Sequence, residues 1–87
     1  MSTKILTVVT PVLNDIDGLK KTRSHFYLDD ENVEHIIVDG KSVDGSREFA
    51  EYLEEKHTNV HLINQYSSGV YGAFNDGISS ASGKYII

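Results

Sequence analysis

At residues 34–46 the chain runs EHIIVDGKSVDGS, an apolar β-branched stretch that passes straight into a turn of glycines and serines carrying two aspartates, Asp39 and Asp44. Ile36, Ile37 and Val38 have no polar residue between them, the pattern of a strand in a sheet buried on both faces. Asp39 falls where such a strand emerges, at the carboxyl edge of the sheet. Open α/β folds bind their ligands at that edge. A tight turn followed by a helix cap accounts for the same residues, so the stretch alone does not decide between ligand and scaffold.

The rest of the chain supplies the context. Four short apolar runs alternate with three helical patterns. Residues 4–10 form the first predicted strand, ended by Pro11, which has no N–H for a central ladder. Asn14 and Asp15 cap a helix striped by Ile16, Leu19, Phe26 and Tyr27. Residues 28–32, with three consecutive acids, form a solvated loop, and residues 33–38 the second strand. The second helix opens near Asp44 or Gly45. It buries Phe49, Tyr52 and Leu53 and turns Glu48, Glu51, Glu54 and Glu55 to water. Lys56 and His57 lie at its C-terminal end, where positive charge suits the helix dipole.

Residues 59–63 make a third strand. The third helix has the clearest period, through Val70, Ala73, Phe74, Gly77, Ile78 and Ala81. Gly83 ends it, and residues 84–87 begin a fourth strand. The order βαβαβαβ predicts an α/β, Rossmann-like fold with a mainly parallel sheet. An apolar strand reaching Ile87 with no cap or polar tail is read as part of a larger domain spanning residues 1–87 and beyond.

Composition narrows the function. Cysteine is absent, which removes disulfides and thiolate metal sites. No apolar run is long enough to cross a membrane, and the short run before Pro11 is no secretory signal. A net charge of −5 argues against nucleic acid as a partner, which calls for clustered Lys and Arg. These features fit a cytoplasmic protein.

The predicted carboxyl edge gathers Thr10, Pro11 and Asn14 after the first strand. Asp39, Gly40, Lys41, Ser42 and Asp44 follow the second, and residues 64–69 with Tyr71 follow the third. A nucleoside needs what these loops hold: a carboxylate for a base N–H, backbone groups for the other base edge and an aromatic to cover the ring. TPVLN has no glycine, so the first turn is not that of a dinucleotide fold, and the lysine and glycine spacing of a P-loop is missing. The glycines of SGVYGAFNDG fall inside a helical period and suit close helix packing. The four histidines, His25, His35, His57 and His61, show no metal-ligand spacing.

Three blocks in order resemble the N-terminal half of the nucleotide-binding region of family 2 glycosyltransferases, which have the GT-A fold. TVVTPVLN resembles the family's first strand and its Thr-Pro turn. IIVDGKSVDGS resembles the second strand with its Asp-Gly-x-Ser-x-Asp-Gly turn, and SGVYGAFNDGISSASGKYII resembles the glycine-tyrosine-asparagine helix and the next strand. The resemblance implies a nucleoside-diphosphate sugar as donor, most often of uridine, and a saccharide or lipid-linked acceptor. It implies that Asp39 accepts from the base and that Thr10 and Pro11 border it through their backbone. Gly69, Tyr71 and Asn75 lie in the helix block that faces the donor. Asp44 either touches the ligand or caps the second helix, and Asn75 either faces the donor or satisfies loop backbone.

Phe74 stands where many relatives have Arg, and Ser67 and Gly72 where a subgroup has acids. The family's metal-binding acidic motif follows the fourth strand, so ligands for a divalent cation, Mn or Mg, are expected beyond Ile87 and no catalytic residue is expected within the chain. The implied setting is cell-surface polysaccharide synthesis, in the cytoplasm or peripheral at the inner face of the membrane. Homo-oligomerisation through an exposed sheet edge is also expected. A non-catalytic α/β nucleotide-binding or scaffold module is the alternative.

Overall fold

The computed structural model of the chain describes residues 5–25, 30–82 and 85–87. Its elements are β1 (Leu6–Val12), α1 (Ile16–Arg23), β2 (Val33–Asp39), α2 (Ser46–Lys56), β3 (Val60–Asn64), α3 (Gly69–Ser80) and β4 (Tyr85–Ile86). The strands form one sheet in the order β3-β2-β1-β4, each neighbouring pair parallel. This is the α/β, Rossmann-like arrangement expected from the alternation of elements.

β2 is buried along all seven residues. It pairs with β1 from Leu6↔Val33 to Val12↔Asp39, and with β3 from His35↔Val60 to Asp39↔Asn64. Successive side chains of a strand point to opposite faces. Ile37 therefore packs with Val12 and Val60 against Leu19 of α1 and Ala50 and Leu53 of α2. Ile36 and Val38 pack with Val9 against Ala73 of α3. Helices on both faces explain why the β-branched run carries no polar alternation.

Two buried polar residues brace the α3 side. Glu34 accepts hydrogen bonds from Thr7 Oγ1 (3.0 Å), Ser82 N (2.8 Å) and Ser82 Oγ (2.9 Å), which ties the segment after α3 back to β2. Burial alone would raise this carboxyl. The bonds from Ser82 and Thr7, with His61 nearby, outweigh burial and hold it below its ordinary value.

Several elements differ from their sequence reading. Pro11 does not end β1; it pairs with Val38 one residue before the strand closes. Thr7 and Val9 turn their backbone groups toward the β4 side, where they bond Ile87, whereas Val12 accepts from Gly40 on the β2 side. Pro11 shares the parity of Thr7 and Val9, so its missing donor takes nothing from the β1–β2 ladder. In α2, Tyr52 is 53% exposed and stacks on half-buried Phe49, while Ala50 takes the buried place beside Leu53.

In α3 the buried residues are Gly72, Ala73, Asp76 and Gly77, and Val70, Phe74 and Ile78 face outward. The period is helical as expected but centred one residue away, because small residues let the helix approach the sheet closely. α3 ends at Ser80, with Ala81 as its C-cap. Phe26, Tyr27, Leu28 and Gly83 lie outside the described residues.

A Cβ on Gly77 would overlap Val9 Cγ1 and lie 3.3 Å from Val38 Cγ2. Gly77→Ala gains about 1 kcal/mol in helix propensity, but overpacking a tight contact costs about 1–3 kcal/mol. Urea denaturation is expected to show a net loss of stability; a variant as stable as the wild type would contradict this packing.

Candidate active site at the carboxyl edge

Parallel pairing puts the loops after β1, β2 and β3 on one edge. The first two are clasped together. Asn14, at φ 50°, donates its backbone N–H to Ser42 Oγ (2.9 Å) and accepts from Val43 N at its side-chain oxygen (2.7 Å). Asp44 accepts from Ser46 N (3.0 Å) and Ser46 Oγ (2.6 Å) with one oxygen, and from Ile16 N (3.0 Å) with the other. The Ser46 hydroxyl above all holds this carboxyl below its ordinary value. One side chain thus satisfies the first residues of both α1 and α2, where helix N–H groups lack intrahelical partners. Gly45, at φ 101°, makes the turn between them in a region that side chains rarely adopt.

The third loop hangs on α3. Asp76 accepts from Tyr66 N (2.9 Å), Ser67 N (3.0 Å) and Ser67 Oγ (2.7 Å). Burial favours the neutral form, but the Ser67 and Tyr66 bonds outweigh it and keep the carboxyl below its ordinary value. Gln65 donates from Nε2 to the carbonyls of Ser67 (2.7 Å) and Gly69 (2.9 Å), folding the loop onto the start of α3.

Between these loops lies a cleft of about 420 Å³. Pro11, Val12 and Leu13 line it from β1, Gly40 and Lys41 from the second loop, and residues 65–70 with Ala73 from the third loop and α3. Pro11 and Gly69 are the predicted site residues on its wall. Asp39 is not on that wall. Its carboxylate is 1% exposed, on the α1–α2 side of the sheet, with Ser42 N at 3.3 Å from each oxygen and Arg47 Nη1 at 3.3 Å. The same guanidinium donates to Asn64 Oδ1.

The other predicted residues also lie off the wall. Thr10 Oγ1 accepts from His35 Nε2 (2.9 Å). Asp44 serves the clasp, Tyr71 is 82% exposed on the first turn of α3, and Asn75 is exposed. The loop-satisfying role open to Asn75 belongs to its neighbour Asp76. Arg47 and Asp76 were missed. Asp76 lies three residues after Ala73, on the inward face of α3, and Arg47 sits in the first turn of the helix that follows Asp39. An acid on an otherwise small buried face was the available signal.

Among the described residues no group of three His, Cys, Asp or Glu is placed to hold a metal ion. The cleft lining contains no carboxylate, so these residues do not fit a divalent cation site. Among them, too, no helix is long and apolar enough to cross a membrane.

A cleft bounded by three βα loops at the carboxyl edge of a parallel sheet is the ligand site of the open α/β class. The sequence pattern described as Glycosyl transferase family 2 matches residues 7–87, and this chain belongs to that family. It is 34% identical over 86 residues to the uncharacterized glycosyltransferase YibD of Escherichia coli K12, covering 98% of this chain and 25% of that protein. It is 32% identical over 88 residues to a dolichyl N-acetyl-α-D-glucosaminyl phosphate 3-β-D-2,3-diacetamido-2,3-dideoxy-β-D-glucuronosyltransferase of Methanococcus voltae, covering 94% of this chain and 27% of that one. The chain therefore spans about a quarter of the length of these relatives. Its fold matches the mannosyltransferase PcManGT of Pyrobaculum calidifontis, solved with GDP-Man and Mn²⁺, at a TM-score of 0.78 and 22% identity, over 99% of this chain and 27% of that one.

Behind Thr10 lies a buried relay. His35 Nδ1 is 3.2 Å from Arg23 Nη1. A guanidinium only donates, so Nδ1 accepts and Nε2 carries the proton given to Thr10. Burial, then the Arg23 charge, lowers the imidazole from 6.5 to about 4. The unfolded chain therefore takes up the proton first as pH falls. The stability this histidine contributes is complete above pH 6.5 and is lost toward pH 4, in total about 3 kcal/mol. Urea titrations across that window are expected to show the slope, and His35→Gln to remove it; equal slopes would contradict the assignment.

Proposed function

We propose that this chain is the donor-nucleotide-binding part of a glycosyltransferase that takes a nucleoside-diphosphate sugar, UDP-linked, and transfers the sugar to a saccharide or lipid-linked acceptor in cell-surface polysaccharide synthesis. The observation that carries this is the cleft at the carboxyl edge of a family 2 chain. Its volume of about 420 Å³ lies within the range of small-molecule sites, and it pairs apolar walls with a few polar groups. Pro11, Leu13, Val70 and Ala73 suit the faces of a base, and the loop backbone and the Ser67 and Ser68 hydroxyls suit its edges and ribose.

The neighbour solved with GDP-Man supports a nucleotide sugar as ligand. The Methanococcus relative, named for a dolichyl phosphate-linked substrate, and the putative teichuronic acid glycosyltransferase TuaG of Bacillus subtilis support the acceptor class and the pathway. The same proposal has the enzyme work in the cytoplasm, peripheral at the inner face of the membrane, where a lipid-linked acceptor would be met. In this proposal the described residues bind and orient the nucleotide, and the divalent cation, Mn or Mg, belongs to the complete enzyme. β3 and β4 bound the sheet, and homo-oligomerisation through such an edge belongs to the same proposal.

Asp39 has its place in the proposal as the acceptor for a base N–H. Val12, its partner across the ladder, and Gly40, the next residue, both line the cleft. Its three contacts at 3.3 Å lie beyond the usual N–H···O range and leave its oxygens with spare acceptor sites. Its enclosure favours the second reading, a scaffold module in which Asp39 only holds the turn.

Calorimetric titration separates the two. Asp39→Ala is expected to weaken UDP binding by about 1–3 kcal/mol. Arg47→Met, which removes the competing guanidinium from the carboxylate, is expected to keep or strengthen it. Undiminished affinity in Asp39→Ala with the fold preserved, or equal heats from UDP and ADP, would count against the donor reading.

A further inference from the structure

We infer that Lys41 is the counter-charge in the cleft for the diphosphate of the nucleotide, an assignment that rests on the nucleoside-diphosphate reading above. The chain carries thirteen Asp and Glu and a net charge of −5, yet among the described residues none of those acids lines the cleft. Among the described residues Lys41 is the one charged side chain on its wall. No carboxylate pairs with its ammonium among the described ion pairs, which join Arg47 to Asp39 and Glu51 and His61 to Glu34. An exposed, unpaired cation on the wall of a cleft without acids is the arrangement an anion meets.

The backbone makes the choice of lysine informative. Lys41 sits at φ 71°, a left-handed conformation that disfavours any residue with a Cβ and suits glycine. The turn is fixed on both sides, by Gly40 N donating to Val12 O (2.8 Å) and by Ser42 bonded to Asp39 and Asn14. The exposed side chain adds no packing. Folding alone would favour glycine here, and the lysine is explained by what its ammonium does in the cleft.

The test is titration of the wild-type chain, Lys41→Gly and Lys41→Met with UDP, GDP, uridine and guanosine, in EDTA so that the cation comes from the protein. In the wild type the diphosphates are expected to bind tighter than the nucleosides, by a margin that shrinks as NaCl is raised. Both variants are expected to lose about ten-fold in diphosphate affinity and to keep nucleoside affinity within about two-fold. Lys41→Gly, relieved of the backbone conflict, is expected to melt no lower than the wild type. Variants that keep diphosphate affinity, or that lose nucleoside binding equally, would overturn the assignment and leave the donor reading standing. A wild-type chain that binds none of the four compounds would overturn both.

Discussion

The central strand cannot be solvated on either face, and most of the structure follows from that. Burying Ile36, Ile37 and Val38 requires helices above and below the sheet, and a helical crossover between successive strands brings β1 and β3 parallel to β2 on either side. Parallel strands release their loops at one edge. Three loops with different chemistry meet there because the hydrophobic run leaves them no other place.

Loops brought together this way still need a fixed shape, and here three aspartates supply it, Asp39 and Asp76 buried and Asp44 exposed. Asp39 holds the amide of Ser42, Asp44 holds Ser46 and Ile16, and Asp76 holds Tyr66 and Ser67. Each carboxylate satisfies backbone donors that would otherwise be left without partners near the core. Much of the turn that resembles the family's signature therefore works as a brace. The cleft is formed between braced loops, and its wall is mostly backbone, apolar side chains and hydroxyls. That suits a site that grips a nucleotide by shape and leaves charge to a single exposed lysine.

The order of elements was legible because period and length separated strands from helices. The outward row Glu48, Glu51, Glu54 and Glu55 on α2 was legible for the same reason. Other features depended on tertiary context. Pro11 reads as a strand breaker until the bonding parity of β1 is known. On α3, Val70, Phe74 and Ile78 carry more hydrophobic signal than Gly72 and Gly77, yet Gly77 faces the sheet and Gly72 the Ser67 loop, where closeness matters more than bulk. Residues at the edge could be named from the sequence, but their directions could not. A one-residue change of parity decides whether a side chain at the end of β2 meets the cleft or the α1–α2 layer, and Asp39 turns toward that layer and Arg47.

The most direct test of a nucleotide cleft at this edge is to follow backbone amide resonances of the ¹⁵N-labelled chain while UDP is added. Saturable shifts at Gly40, Lys41 and residues 65–70, with the amides at the amino ends of β1 and β2 unmoved, are the expected result. Shifts confined to the opposite edge, or none at saturating nucleotide, would contradict the account.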